Sequence, residues 1–281
     1  MDRDLLLNRL KRLGINGIFL KNISSMYEKT RYSIKLSKGH LDPLDSNLGL
    51  KQGCPLSPIL FNLYIDDISG IFTEQCDPIE FQGMGLSHFL YADDLVIMSH
   101  TEEGLQKSLD NLYTYSTQKN LTVSIKKSKT MILNPSGKLI KKYFKVNGKA
   151  LEPVHCFCYL GFDVKASGSV KNAMNTLYEK ANKAMRPLFM SIARFNIPVK
   201  TSLSLFHAYI APIALYNVEN WTIFTDKKIE NFSADCIFND ISENKVDILH
   251  RKFMKYLLGV SKSCPNLSLY GETGEIPLSL K

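Results

Sequence analysis

No residue between Asp110 and Glu152 carries a negative charge. That gap holds nine lysines: Lys119, Lys126, Lys127, Lys129, Lys138, Lys141, Lys142, Lys145 and Lys149. They exceed the whole net charge of +8 carried by the 281 residues. A solvated lysine-rich face explains any one of them. The stretch as a whole favours a phosphate-facing surface, and hence a polyanionic partner such as nucleic acid. Long apolar runs are also missing. The run Ala208 to Leu215 is too short to span a bilayer and contains Pro212, so no membrane role is expected. The opening Met1-Asp2-Arg3-Asp4 lacks the apolar stretch of a signal peptide. Cysteine is sparse, at Cys54, Cys76, Cys156, Cys158, Cys236 and Cys264. Cys156-Phe157-Cys158 does not match a C-x2-C metal spacing, and no histidine partners it at finger spacing. All six read as reduced thiols of an intracellular protein, nuclear or cytoplasmic and not secreted. The six histidines are scattered and read as structural. The single tryptophan, Trp221, reads as a core anchor of a helical region. No internal repeat is present.

What is there centres on Tyr91-Ala92-Asp93-Asp94, between the apolar runs Phe89-Leu90 and Leu95-Val96-Ile97-Met98. Both runs read as short buried strands joined by a tight turn. Paired carboxylates on such a turn repel one another and lose solvation as the site closes. Divalent cations offset that cost. Hard oxygen ligands suit magnesium, and two magnesium ions stabilise the attacking and leaving oxygens of a phosphoryl transfer. The tetrapeptide alone fits an ordinary polar turn equally well, so the neighbouring segments decide.

The 44% hydrophobic content suffices for a core. Leu5, Leu6, Leu10 and Leu13 predict a helix from Asp4, its N-cap, to Leu13. Helices follow over 15–26 and from Pro58 to Ile68, with Pro58 in the first turn. A strand is expected over 32–36 and a helix over 101–118. Strands are expected over 121–125, 130–133 and 156–164, and a hairpin at Asn147-Gly148. Tyr143 and Phe144 are expected to pack under that hairpin. From Val170 the pattern turns helical, over 170–188, 201–216 and 249–258. Asp226 to Asp247 is acid-rich and reads as an irregular connection, and 265–281 reads as loop. Asp66-Asp67 read as the cap or solvated end of their helix. The fold class is α+β: an antiparallel sheet backed by helices over 1–165, then a helical domain over 166–281.

The segment Gly49-Leu50-Lys51-Gln52-Gly53-Cys54-Pro55-Leu56-Ser57-Pro58 leads into a helix N-terminus, a setting that suits an anion. Gly53 permits close backbone approach and Gln52 offers a planar amide. The order GLKQGCPLSPILFNLYIDD, FLYADDLVIM, LTVSIKKSKT and CYLGF resembles the palm of reverse transcriptases, most closely the non-LTR (LINE-type) retrotransposon branch. The later HRKFMKYLLGV and LYGETGEIPL resemble the helical, thumb-like region that follows the palm in such elements.

The resemblance implies RNA-directed DNA synthesis with two magnesium ions, an RNA template, a DNA primer and deoxynucleoside triphosphates. It makes Asp93 the chief metal ligand and Asp94 the second acid of the catalytic turn. Gln52 and Gly53 line the nucleotide and template. Lys127 faces the nucleotide's phosphates and can protonate the leaving pyrophosphate. Tyr159-Leu160-Gly161 grips the primer end. Cys54 and Ser124 stand where serine and asparagine are usual. The family's first catalytic aspartate lies on a strand just upstream of the region where this sequence starts, and neither Asp2 nor Asp4 substitutes for it. The resemblance therefore implies an N-terminally truncated polymerase without fingers or endonuclease, binding magnesium weakly or not at all. The alternative it leaves is an inactive nucleic-acid-binding remnant.

Overall fold

The computed structural model describes residues 1–37, 39–218 and 244–280. Trp221, Cys236 and most of the acid-rich stretch lie outside these. The described chain forms two compact units, Met1–Thr130 with Lys141–Pro153, and Met131–Ile140 with Val154–Lys281.

In the first unit, α1 (Arg3–Arg12) packs on α3 (Ser57–Ile65), with α2 (Gly17–Glu28) beside them. Leu6, Leu10, Tyr27, Leu60, Tyr64 and Ile65 form their shared core. The cap of α1 is Asp2 and not Asp4. Its carboxylate accepts from the Asp4 and Leu5 amides at 2.9 and 3.1 Å. Asp4 lies inside the first turn, where its charge favours the positive end of the helix dipole. Arg3 extends from the same turn to the loop that follows. Its Nη1 donates to the carbonyls of Tyr27 and Ser46, and its Nε to that of Gly49 at 3.1 Å. The Gln52 loop is thereby tied to the first helix.

The strands are short and pair in twos. β1 (Arg31–Tyr32) pairs with β4 (Leu44–Asp45), and β2 (Lys35–Leu36) with β3 (Gly39–His40). β5 (Ile79–Phe81) pairs with β6 (Met84–Leu86), and β7 (His88–Tyr91) with β8 (Asp94–Ile97). β10 (Lys145–Val146) pairs with β11 (Lys149–Ala150) about Asn147-Gly148, as the sequence indicates. These ladders are antiparallel. β9 (Lys129–Thr130) pairs in parallel with β12 (Glu152–Pro153). Residues 121–125 form no strand, yet Val123 and Ile125 still pack beside Leu109, Phe144, Val146 and Leu151. Phe144 lies under the hairpin as expected, whereas Tyr143 is exposed.

Helix α4 (Glu102–Gln118) backs this cluster. Its cap Thr101 accepts from the Gly104 amide at 3.2 Å. Gly104 is a steric requirement. A Cβ there would sit 2.6 Å from the Cys76 carbonyl oxygen and 2.5 Å from Ser99 Oγ. Alanine favours helix by up to about 1 kcal/mol. Overpacking against a backbone carbonyl costs roughly 1–3 kcal/mol and wins. Gly104→Ala is expected to lower stability by about 1–2 kcal/mol, measured by urea denaturation. An unchanged midpoint would show that the helix start shifts freely.

The second unit is mostly helical. The expected single strand over 156–164 is a hairpin, β13 (Cys156–Tyr159) and β14 (Phe162–Lys165), turning at Leu160-Gly161. α5 (Lys171–Phe195) buries Ala173, Leu177, Ala181, Met185 and Ile192 on one stripe and ends at Asn196 in the left-handed conformation. α6 (Val199–Tyr209) and the short α7 (Ala211–Ala214) replace one expected helix, with Pro212 at the start of the second. α8 (Lys245–Leu258) is capped by Asn244 and ends at Gly259. The segment read as loop contains α9 (Asn266–Thr273) and a 3-10 turn over Leu278–Leu280. Leu269 and Leu278 explain the difference, since both are buried in the cluster around Phe206, Leu249, Phe253 and Met254. The Ser279 amide also donates to the buried Asp247 at 3.1 Å.

Candidate active site

The Asp93-Asp94 hairpin has Tyr91 paired with Asp94, which leaves Ala92 and Asp93 as a two-residue turn. Ala92 adopts φ +51. Three other two-residue turns, Gln82-Gly83, Asn147-Gly148 and Leu160-Gly161, have positive φ at both positions and glycine at the second. The Ala92-Asp93 turn has no glycine. A residue with a Cβ in the left-handed region costs about 1–2 kcal/mol and persists where its surroundings hold it. Here the hairpin's base is held firmly. His88 is hydrogen-bonded to Ser69 Oγ at 3.1 Å and to Ser87 Oγ at 2.9 Å, and stacks on Phe72 at 4.6 Å. Burial pushes the His88 imidazole below its ordinary pKa. Ser99 Oγ donates to the carbonyls of Cys76 and Asp77, and Ile97 packs beside the α4 cluster.

The strands are less buried than the sequence implies. Phe89, Leu90 and Tyr91 are exposed, and both aspartates face solvent. The tip is thus a solvated pair of carboxylates on a fixed base. Being exposed, the pair costs little in desolvation. Oxygen donors on such a tip fit a hard divalent cation.

Gln52 and Gly53 are exposed in the loop before α3. Gly53 has φ +78, which only glycine adopts without strain. Ser57 Oγ donates to the Lys51 carbonyl at 2.7 Å and closes the loop onto the helix start. Lys127 is exposed on a tight turn in which its amide donates to the Ser124 carbonyl at 3.1 Å. Among the described residues no hydrogen bond or ion pair links the side chains of Gln52, Asp93, Asp94 or Lys127 to another protein group. All four belong to the first unit. Tyr159-Leu160-Gly161 belongs to the second. There Leu160 adopts φ +47, and its carbonyl accepts from the Tyr216 hydroxyl at 2.5 Å.

The lysine stretch is not uniformly uncompensated. Lys119 pairs with Asp67 at 2.8 Å, Lys129 with Glu152 and Lys142 with Glu102. Among the described residues, Lys126, Lys127, Lys138, Lys141, Lys145 and Lys149 have no carboxylate partner.

Asp66 and Asp67 do more than end a helix. Asp66 pairs with Arg9 of α1 at 3.2 Å. Asp67 accepts from the Tyr115 hydroxyl at 2.6 Å and from Lys119 Nζ at 2.8 Å, joining the end of α3 to α4. Burial works against the Asp67 carboxylate. Its bonds to Lys119 and Tyr115 overcome that and hold its pKa below the ordinary value. Burial, then Asp67, pushes the Tyr115 phenol well up. Asp67→Ala strands the buried Tyr115 hydroxyl, and a loss of about 1–2 kcal/mol is expected, water at the partly exposed carboxylate replacing the rest. A carboxylate whose folded pKa is depressed stabilises the fold above its unfolded value of 3.8. The gap between wild type and variant should therefore close as pH falls below about 4. Denaturant melts at pH 7 and pH 3 test this, and a gap that is equal at both would refute it.

Comparison with known proteins gives the family. The profile described as "Reverse transcriptase (RNA-dependent DNA polymerase)" matches residues 2–164, and the chain belongs to that family. It is 34% identical over 113 residues to a Retrovirus-related Pol polyprotein from type-1 retrotransposable element R2 of Nasonia vitripennis, covering 39% of this chain and 10% of that protein. It is 26% identical over 137 residues to such a polyprotein of Popillia japonica, covering 46% of this chain and 23% of the relative. Another match in Popillia japonica is 24% identical over 229 residues, or 75% of this chain and 30% of the relative. The chain thus spans less than a third of the length of these relatives. Reverse transcriptases in general use a divalent metal, nucleotides and a nucleic-acid template. No helix among the described residues is long and apolar enough to cross a membrane.

Proposed function

We propose that the Asp93-Asp94 turn is the catalytic turn of an RNA-directed DNA polymerase from a non-LTR retrotransposon. The observation that carries this is a pair of exposed carboxylates, unpaired among the described residues, on a hairpin with an anchored base. Membership of the reverse transcriptase family supports it. The match ends at residue 164, which supports a palm over 1–165 and a helical, thumb-like region over 166–281.

In the reaction a primer 3′-hydroxyl gives up its proton to water and attacks the α-phosphorus of a deoxynucleoside triphosphate, a new P–O bond forms, the α–β phosphoanhydride bond breaks and pyrophosphate leaves. Asp93 and Asp94 are the residues that would hold magnesium, which when bound supplies charge stabilisation at the attacking and leaving oxygens. Asp93, at the turn, is the chief ligand, and Asp94 opens β8 beside it. Gln52 and Gly53 line the nucleotide and the template. Gly53 has no atom within 4 Å of its absent side chain, so a ligand can approach the backbone there. Lys127 neutralises the triphosphate and donates a proton to the departing pyrophosphate. Tyr159-Leu160-Gly161 holds the primer end, with Tyr216 bracing the turn from below.

A second reading has its own observation. Asp2 is engaged as the α1 cap and by Asn120 Nδ2 at 3.1 Å, and Asp4 sits in the helix's first turn. Asp2 is therefore not free to complete a three-carboxylate site. Taken alone, these 281 residues would then bind nucleic acid without extending it. Incorporation of labelled nucleotide on a primed RNA template separates the readings. The assay compares this chain with a longer protein that supplies the third carboxylate. Asp93-dependent synthesis by the 281 residues alone would refute the second reading. Synthesis that survives Asp93→Asn would refute the first.

A further inference from the structure

A different set of ligand-type side chains converges within the second unit. His207 lies in the last turn of α6, His250 in the middle of α8, and Glu275 just beyond Gly274 at the end of α9. His207 Nε2 is 2.9 Å from Glu275 Oε2, and His250 Nε2 is 3.6 Å from the same oxygen. One ligand atom from each residue lies within 4.8 Å of the other two. Among the described residues this is the one group of three His, Cys, Asp or Glu so arranged.

We propose that His207, His250 and Glu275 form a binding site for a zinc-type divalent cation that clamps α6, α8 and the segment after α9. The spacing is the first support. Tetrahedral ligands at 2.0–2.1 Å from zinc lie about 3.3 Å apart; the two separations to Glu275 Oε2, 2.9 and 3.6 Å, bracket that value, and the two imidazoles lie within 4.8 Å of one another. The donor set is the second. Two imidazoles and a carboxylate select a late first-row metal over magnesium or calcium, which prefer oxygen alone.

The surroundings are the third support. His250 is fully buried and stacks on the fully buried Phe206 at 5.1 Å, with Phe253 stacked on Phe206's ring at 4.6 Å. Only 13% of the Glu275 side chain is exposed. A dication held here would take the place of the hydrogen bond that the Glu275 carboxylate shares with His207. His207 is 28% exposed, which gives the site a solvent edge where water completes the coordination. The three elements meet only in the folded chain, so bound metal stabilises the folded state over the unfolded one.

The test uses the full chain, stripped with chelator and titrated with zinc chloride. Calorimetry should give one zinc per chain, and the melting temperature should rise by about 5 °C at saturating zinc. His207→Gln, at a partly exposed position, and Glu275→Gln should each lose that rise. The cobalt-substituted protein should show visible d–d bands without thiolate charge transfer, which separates this site from Cys156, Cys158 and Cys264. A wild-type protein with no zinc-dependent rise would overturn the proposal. So would a rise retained in both variants, or thiolate bands in the cobalt spectrum. The readout is metal binding alone, so its failure leaves the polymerase assignment untouched.

Discussion

Asp93→Asn should abolish nucleotide incorporation in any longer form of this protein that extends a primer. An amide cannot supply the anionic oxygen ligand that the site requires. Removing one preorganised electrostatic group from an active site costs about 10²–10³ in rate, and losing the chief metal ligand should cost at least about a thousandfold. The loss will not be unfolding. Asp93 is exposed on a turn, where substitutions usually change stability by less than about 0.5 kcal/mol. Lys127→Ala should slow incorporation, by roughly a hundredfold or more, because water protonates the pyrophosphate less efficiently but still does so. Steady-state incorporation with magnesium, alongside a thermal melt of each variant, measures both. An Asp93→Asn protein with near wild-type rate would remove the hairpin from the chemistry altogether.

Binding of an RNA–DNA hybrid should fall steeply with salt, and particular lysines should carry that slope. Lys126, Lys127, Lys141, Lys145 and Lys149 of the first unit are exposed, with no carboxylate partner among the described residues. Neutralising about five phosphates gives a slope of about −4 in log affinity against log salt, hence a loss of a few hundredfold between 50 and 200 mM. Replacing Lys126 or Lys127 by glutamine should flatten the slope by about one unit each. Replacing Lys129 or Lys142 should leave it nearly unchanged, because Glu152 and Glu102 already neutralise them. Filter binding across a salt series makes the measurement. A flat salt response, or an equal effect from paired and unpaired lysines, would refute the assignment.

Much of the local architecture was written in short-range patterns. Asn147-Gly148 dictates its hairpin because both turn residues must adopt positive φ. Leu177, Ala181 and Met185 recur at the helical period and bury together. Boundaries slipped where two residues competed for one role. Asp2 took the cap that Asp4 could have taken, because the chain turns helical two residues earlier. The residues after Pro265 looked like loop because Leu269 and Leu278 are too sparse to show a period. They order by packing against α8 and its neighbours, which are contacts between segments.

Four segments in order point to the family, and the candidate Asp93, Asp94, Gln52, Gly53 and Lys127 stand out by type and spacing, which are local properties of the chain. The tertiary structure decided which charges are free. Lys119 is neutralised by Asp67, and Lys142 by Glu102. It also decided that the aspartate hairpin is solvated at its tip and held at its base by Ser69, Phe72 and Cys76. It alone brought His207, His250 and Glu275 within ligand distance. Coulomb and coordination energies depend on separations of a few ångströms. Between residues tens of positions apart those separations are set by how helices pack, and no periodicity in the chain encodes them.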